Sequence, residues 1–442
     1  MAADYRWLGS LTDGTDYSYS QAVALSADGS SVIGSSSTFE GIEEEAFHWT
    51  AETGMLGMGS LGAPLGADSW AVDITDNGDT ALGTLFDYGG MSGGIRMYTW
   101  QPGGDKQPID LPATGYPRVN ARAISADGSV LAGYATNSPQ SRSNAFVWTS
   151  DGGYQFLDLG PSHHIWRHVD VGGLSADAGV VVGDVRSYSG GSSSRTQAYR
   201  WEPDGEFEYL GYLPGGDNDY STAADISADG SIIVGTSDSA NAEAGGGFFE
   251  AFRWTEEDGM VGLGDLPGGD FNSWATAISA DGSVIVGEAT IEAESFSQRD
   301  APFIWTEEHG MRNLRDVFLD AGIGADFVAG IEDVVDVSAD GQTFIGNGSG
   351  PEGALGSAWI VSLNDIAELL GDYNGNGIID AADYTVWQDN FGNTNLSINT
   401  LSIIPEPSTG LALFSFATLV FGRGRVRRAT PSRPTSGPAD TF

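Results

Sequence analysis

The chain contains no cysteine. Disulfides, thiolate metal sites and cysteine nucleophiles are therefore excluded, while the compartment stays open, because a large domain can persist outside the cell without cross-links. Basic residues are scarce, with 19 Lys plus Arg against 61 Asp plus Glu, giving a formal net charge of -42 over 442 residues. That field repels nucleic-acid phosphates and anionic membranes, and it argues against a nucleic-acid partner. Histidine is limited to five residues, and the Met-Ala-Ala-Asp-Tyr-Arg-Trp start lacks the basic and apolar segments of a secretory signal. The longest apolar stretch near the C-terminus, Leu411 to Phe421, falls short of the roughly 20 residues needed for a helical membrane span.

Glycine is abundant, at 64 residues, and the chain repeats itself. A Ser-Ala-Asp-Gly element begins at Ser26, Thr75, Ser125, Ser175, Ser227, Ser279 and Ser338, at steps of 49, 50, 50, 52, 52 and 59 residues. Eight residues after each start stands a glycine: Gly34, Gly83, Gly133, Gly183, Gly235, Gly287 and Gly346. Between them run short apolar segments such as Val180-Val181-Val182 and Val284-Ile285-Val286, which read as buried strands. Asp28-Gly29, Asp127-Gly128, Asp229-Gly230 and Asp281-Gly282 fit two-residue hairpin turns, and the copy with Ala178 should be the weakest.

A further strand in each repeat ends in tryptophan, from Phe47-His48-Trp49 through Phe252-Arg253-Trp254 and Phe303-Ile304-Trp305 to Ala358-Trp359. Aromatics two apart share one strand face and can fill the space between sheets, while Arg200 and Arg253 point the other way. The fourth element is Leu-Gly-x-Leu, at Leu8, Leu210 and Leu263, with looser forms at Leu56, Ile109, Leu157 and Leu314. Four short strands repeated seven times predict an all-β, seven-bladed β-propeller over residues 1–363, because each small sheet can bury its faces only against its neighbours. The ring closes either from complete blades or by the N-terminal strand completing the last one. Alternation of strands puts the Asp-Gly turns at one end of the disc and the long variable connectors at the other, where binding is expected.

The repeats resemble the extracellular HAF repeat family through Leu-Gly-x-Leu-Pro-Gly-Gly, Ile-Ser-Ala-Asp-Gly-Ser and Ala-Phe-x-Trp, over roughly residues 7–360. Glu45, Asn144, Glu250 and Asp300 stand where the family's histidine would be. The resemblance implies an extracellular repeat protein and carries no catalytic residue onto this chain.

Beyond Leu363, Asp372, Asn374, Asn376, Asp380 and Asp383 place oxygen-bearing side chains at loop positions 1, 3, 5, 9 and 12, with Gly377 at the sixth and the Ile378 carbonyl at the seventh. This spacing predicts a calcium loop, against the alternative of an Asx-rich turn. Followed by Tyr384 to Asp389, it resembles one repeat of a type I dockerin, within a module over residues 364–394 with a small EF-hand-like helical segment. Full dockerins pair two such loops to bind cohesin; with one copy evident, cohesin binding stays open and calcium-dependent local folding is what the resemblance implies.

Residues 395–442 read as a disordered or short helical tail. Pro405-Glu406-Pro407, the apolar run and Arg423, Arg425, Arg427 and Arg428 resemble the PEP-CTERM sorting signal of exported bacterial proteins, against the reading of a linker with a basic tail. The resemblance implies partners in the export and sorting machinery, and location at the cell surface, outer envelope or extracellular matrix. A signal peptide is then expected upstream of the first residue shown, with cleavage near Ala2-Ala3.

Two site readings complete the expectations. Trp70, Trp166 and Trp274 are candidate ligand-binding aromatics, against packing roles, while His163, His164 and His168 form a histidine group better read as a polar loop than as a metal site. The expected function is a noncatalytic, exported interaction protein that binds carbohydrate or another extracellular protein. An extracellular glycoside hydrolase or lyase, with a carboxylate pair at a sugar bond, is the alternative.

Overall fold

The computed structural model describes residues 3–363 apart from 13–17, 39–43, 60–67, 87–94, 111–117, 138–141, 158–164, 190–193, 204, 217, 293–297 and 351–355. The side chains at 86, 95, 137, 142, 165–167, 188–189, 194 and 298–299 also lie outside the description. The predicted calcium loop and sorting tail fall beyond Leu363 and outside it altogether.

Seven sheets of four antiparallel strands form a seven-bladed β-propeller. Blade 1 runs Ser20–Leu25, Ser31–Ser37, Glu44–Thr50 and Gly54–Gly57, each strand paired to the next. Blades 2 to 6 repeat that order over residues 68–108, 118–156, 165–211, 221–262 and 273–313. Blade 7 is composite: Asp336–Val337, Thr343–Gly348 and Ser357–Ser362 are completed by Asp4–Trp7 from the N-terminus, in register Trp7 to Trp359. Of the two closures the sequence left open, the ring therefore uses the shared blade.

The Ser-Ala-Asp-Gly element joins the first and second strands of each blade, but not as a two-residue hairpin. In blade 1 the amide of Ser26 donates to Ser31, and Gly29 at φ 73 donates to the carbonyl of Ser26, so four residues form the loop. Asp28 keeps a negative φ and uses its carboxylate instead: Oδ1 accepts from Ser26 Oγ at 2.7 Å and from the Ser30 amide at 2.9 Å. Ser26 Oγ in turn accepts the amide of Ser31 at 2.9 Å. In the fourth copy Ala178 takes the glycine's place at φ 59. The residue after the motif's Ser or Thr, alanine in every copy but the second, links blade to blade, since backbone bonds run Ala27 to Asp76, Asp76 to Ala126, Ala126 to Ala176, Ala176 to Ala228, Ala228 to Ala280 and Ala339 to Ala27.

The glycine eight residues on lies in the second strand under a carbonyl of the first. A Cβ on Gly235 would sit 2.0 Å from the Thr222 oxygen, and one on Gly287 would sit 2.0 Å from that of Trp274. Beside it lies the aromatic of the third strand: Phe47, Tyr98, Phe146, Tyr199, Phe252 and Phe303 are all fully buried. Trp254 follows at 7% exposure and Trp305 is partly buried.

The seventh copy departs from the predicted register. Trp359 pairs with Gly346, as Phe47 pairs with Gly34, so it fills the phenylalanine position, and Val361 stands where the other blades carry tryptophan. The larger ring is accommodated by Phe318, which packs edge-on against Trp359 at 5.9 Å. Phe318 belongs to a helix, Leu314–Asp320, capped by the Asn313 side chain, and a second helix spans Ala325–Gly330. Leu314 thus opens a helix rather than a loose Leu-Gly-x-Leu, and the two helices account for the longer last step. Elsewhere Leu-Gly-x-Leu is the exit from the fourth strand, turned by Gly9, Gly211 and Gly264 at φ 79, 82 and 84.

Serines at the start of the first strands stitch blades together. Ser221 Oγ accepts the Ala198 amide at 2.9 Å and donates to the Gly211 carbonyl at 2.7 Å. Ser273 does the same with Ala251 and Gly264, at 3.0 and 2.7 Å, and Ser20 with Ala358 and Gly9, at 3.1 and 2.6 Å.

Candidate functional site

The first strands surround a central cavity of about 270 Å³. Each of blades 1 to 6 carries a β-bulge there, which turns Val23, Val72, Arg122, Gly172, Ala224 and Thr276 toward the axis. The next position is Ala or Gly in four blades and aspartate in three: Asp73, Asp225 and Asp336. Each aspartate spans two blades. Asp73 accepts amides from Ile74 and Ile124, both at 2.8 Å; Asp225 from Ile226 and Ile278 at 2.8 and 2.9 Å; Asp336 from Val337 and Leu25 at 2.7 and 2.8 Å. Burial pushes these carboxyls up to about 7, 8 and 6 respectively, despite the bonds they accept. Asp229, by contrast, is held below the usual range by hydrogen bonds from Ser231 and Ser227 at its exposed turn.

Chemistry varies most in the layer next to the buried glycines, at the end of the disc away from the Asp-Gly turns. Cross-strand partners there are Gln21 with Ser35, Trp70 with Thr84, Asn120 with Tyr134, Asp170 with Asp184, Thr222 with Thr236 and Trp274 with Glu288. Paired residues share a sheet face and sit side by side. In blades 3 and 4 the Arg122 guanidinium grips both oxygens of Asp170, at 3.0 and 3.1 Å, and lies 5.2 Å above the Tyr134 ring. Asp184 is pushed up to about 6 by burial and by the Asp170 charge, against the pull of Arg186 and Arg122. Glu288 is pushed up to about 7 by burial, Asp333 and Asp300, against Arg315.

Between these carboxylates, blades 5 and 6 assemble an aromatic line. Asp238, fully buried, accepts the amides of Asn218 and Tyr220 at 2.6 and 3.2 Å and so fixes the approach to blade 5. Ser239 caps the short helix Ala240–Ala244, and the chain then turns back through Gly246 at φ 87. Asn272 Oδ1 accepts the amides of Phe248 and Phe249 at 2.8 and 3.2 Å. The result brings Tyr220 to 4.9 Å from Phe249, and Phe249 to 6.5 Å from Trp274 and 6.3 Å from Phe248. Phe248 is 61% exposed, the most open large apolar side chain among the described residues.

Of the predicted aromatics, Trp274 joins this cluster. Trp70 lies in blade 2 and commits its indole N–H to Glu44 Oε2 of blade 1 at 2.6 Å. The Trp166 backbone lies in the first strand of blade 4, opposite Tyr188, and its side chain lies outside the described residues. His163 and His164 also lie outside them, while His168 Nδ1 is 3.4 Å from Ser143 Oγ, a serine that joins blades 3 and 4 through Val169. Asp372, Asn374, Asn376, Ile378, Asp380 and Asp383 all lie outside as well. Phe248 and Phe249 were missed because, in the sequence, they follow three glycines in a connector with no repeat signature. The available signal was their position at the end of the long Ser237 to Glu250 stretch on the variable end.

Among the described residues, no three His, Asp or Glu converge as metal ligands, and no helix is long and apolar enough to cross a membrane. No family model and no curated protein matches the chain. Solved structures with a similar fold include the β-propeller domain of the Trilobed protease from Pyrococcus furiosus. It is 9% identical, with a TM-score of 0.50 over 79% of this chain and 96% of that one. The putative TolB from Agrobacterium tumefaciens is 14% identical, with a TM-score of 0.38 over 70% of this chain and 94% of that one. Kuenenia stuttgartiensis hydrazine synthase is 13% identical, with a TM-score of 0.41 over 74% and 92%. The Pyrococcus domain has an open velcro topology, whereas here the N-terminal strand pairs within the last blade; the likeness extends to the propeller fold alone.

Proposed function

We propose that this is an exported, noncatalytic interaction protein of the cell surface or envelope that holds a carbohydrate chain across the variable end of its propeller. The observation that carries the reading is the aromatic line Tyr220, Phe249, Trp274 with exposed Phe248 at its edge. Pyranose rings present apolar C–H faces that pack on aromatic rings, while their hydroxyls need acceptors such as Glu288 beside Trp274. The export half rests on the HAF-like repeats and the Pro405 to Arg428 tail. The Asp372 to Asp383 loop adds a calcium-ordered module after the propeller.

Screening the full chain against a glycan array tests the reading. Binding without turnover, weakened by Trp274→Ala and Phe248→Ala, is expected. An extracellular protein bound in place of any glycan would replace the ligand class, and an array with no bound glycan would remove it.

One observation favours the enzymatic alternative. Asp184 and Glu288 stand at the same register two blades apart, both with pKa values raised toward those of a general acid. Product released from a defined polysaccharide, and lost in Glu288→Gln with the fold intact, would establish that reading over the noncatalytic one.

A further inference from the structure

Charge around the aromatic line narrows the ligand further. Trp274 is the direct cross-strand partner of Glu288, and Tyr220 lies within the electrostatic reach of Asp184. Asp300 and Asp333 also act on Glu288, and Asp219 directly precedes Tyr220. Two of the arginines nearby are committed. Arg122 is gripped by Asp170 and Arg195 is paired with Asp219 at 2.8 Å, whereas Arg315, held on the neutral Ile331 carbonyl at 3.0 and 2.6 Å, keeps its charge and acts on Glu288. Arg186 is a counter-charge near Asp184.

Two carboxylates at one register, in blades 4 and 6, thus flank aromatic rings in blades 5 and 6. They stand two blades apart at one register, with the rings of Tyr220, Phe249 and Trp274 on the blades between and beside them. Separated anions with rings between them suit a ligand that alternates positive charge with apolar faces, rather than a single metal ion.

Resting on the carbohydrate reading, we infer that the ligand is an amine-bearing glycan, a chain of hexosamine units with free ammonium groups, seated with its sugar faces on Trp274 and Phe249 and its charges toward Glu288 and Asp184. An acidic or sulfated glycan would meet like charge at both ends of the aromatic line and, at long range, a protein of net charge -42. A neutral glycan would use the rings and leave the carboxylates uncompensated.

Isothermal titration of the full chain with a glucosamine hexamer and with its fully N-acetylated counterpart tests the inference, run as a series from about pH 6 to pH 8, because the contact needs the amines protonated while Glu288, pushed up to about 7, gives up its proton. The amine form should bind at least about tenfold more tightly and weaken as salt is raised, following screening of the charges. Glu288→Gln should remove most of that preference while Trp274→Ala weakens both oligomers. Equal or tighter binding of the acetylated hexamer would overturn the cationic inference and leave the carbohydrate reading intact. If neither hexamer binds but another glycan on the array does, the inference fails alone; if no glycan binds at all, both fail.

Discussion

Asp336 Oδ2 in blade 7 accepts the amide of Leu25 in blade 1 at 2.8 Å, and so holds the seam of the ring on its inner side, while the N-terminal strand holds it on the outer rim. Asp73 and Asp225 make the same reach from blade 2 to 3 and from blade 5 to 6.

These three aspartates set a pH dependence. Their folded pKa values, about 7 for Asp73, 8 for Asp225 and 6 for Asp336, exceed the 3.8 of an ordinary aspartate. Between about pH 4 and pH 8 the unfolded chain therefore gives up protons that the fold retains, and stability falls as pH rises. A thermal melt series of the full chain from pH 4.5 to 8.5 should show declining Tm. Asp225→Asn should flatten the upper part of that slope, and an unchanged slope in the variant would remove Asp225 as its cause.

Ser273 closes the contact between blades 5 and 6 with one hydroxyl. Ser273→Ala leaves the Ala251 amide and Gly264 carbonyl unpaired in a buried seam and should cost about 1–3 kcal/mol in urea unfolding. Ser150→Ala, on an exposed turn, should stay within about 0.5 kcal/mol of the parent. Equal effects would show that the seam hydroxyl is dispensable.

Ala178 holds φ 59, where its counterparts are glycines. Ala178→Gly relieves a conformation that costs an alanine about 1 kcal/mol and should raise stability by somewhat less, after the added freedom of the unfolded chain. The reverse experiment, Gly235→Ala, drives a Cβ to 2.0 Å from the Thr222 carbonyl and should unfold the blade or lower Tm sharply. Circular-dichroism melts of both variants distinguish them by sign.

Trp254 is 7% exposed and packs in the cluster between blades 4 and 5 with Leu210 and Leu213. Trp254→Ala should cost about 3–5 kcal/mol by leaving a cavity at that junction. A loss below about 1 kcal/mol in denaturant titration would mean that the junction collapses around the gap.

The blade count was legible because Ser26, Ser125 and their counterparts recur with a glycine eight residues on, and that spacing follows from one hairpin. The latches were not. Ser221 and Gly211 gain their meaning only once adjacent blades meet, and Asp73 looks like any polar residue until Ile124 is brought beside it from the next blade. Trp359 misled the register because it was matched by residue type to the tryptophans that end the other copies, whereas its pairing with Gly346, and the Ala358 before it, place it with the phenylalanines. At the variable end, Trp274 was identifiable as an aromatic beside the long connectors. Its neighbours Phe248 and Phe249 are set there by Asn272, a contact between two connectors that no periodicity announces.

The Asp372 to Asp383 loop makes a separate prediction. Titrating calcium into the full chain should give a saturable heat and ordering of the terminal module, while the propeller's near-ultraviolet signal stays unchanged. Asp372→Ala should abolish the heat. No heat up to about 10 mM calcium would leave the segment as an Asx-rich turn.

A crystal structure of the full chain grown with a bound hexosamine oligomer tests the central claim most directly. The account predicts sugar rings against Trp274 and Phe249, with an amine facing Glu288, at the end of the disc opposite the Asp-Gly turns. An oligomer lodged instead at the turn end or along the outer rim, with Trp274 and Glu288 untouched, would contradict it.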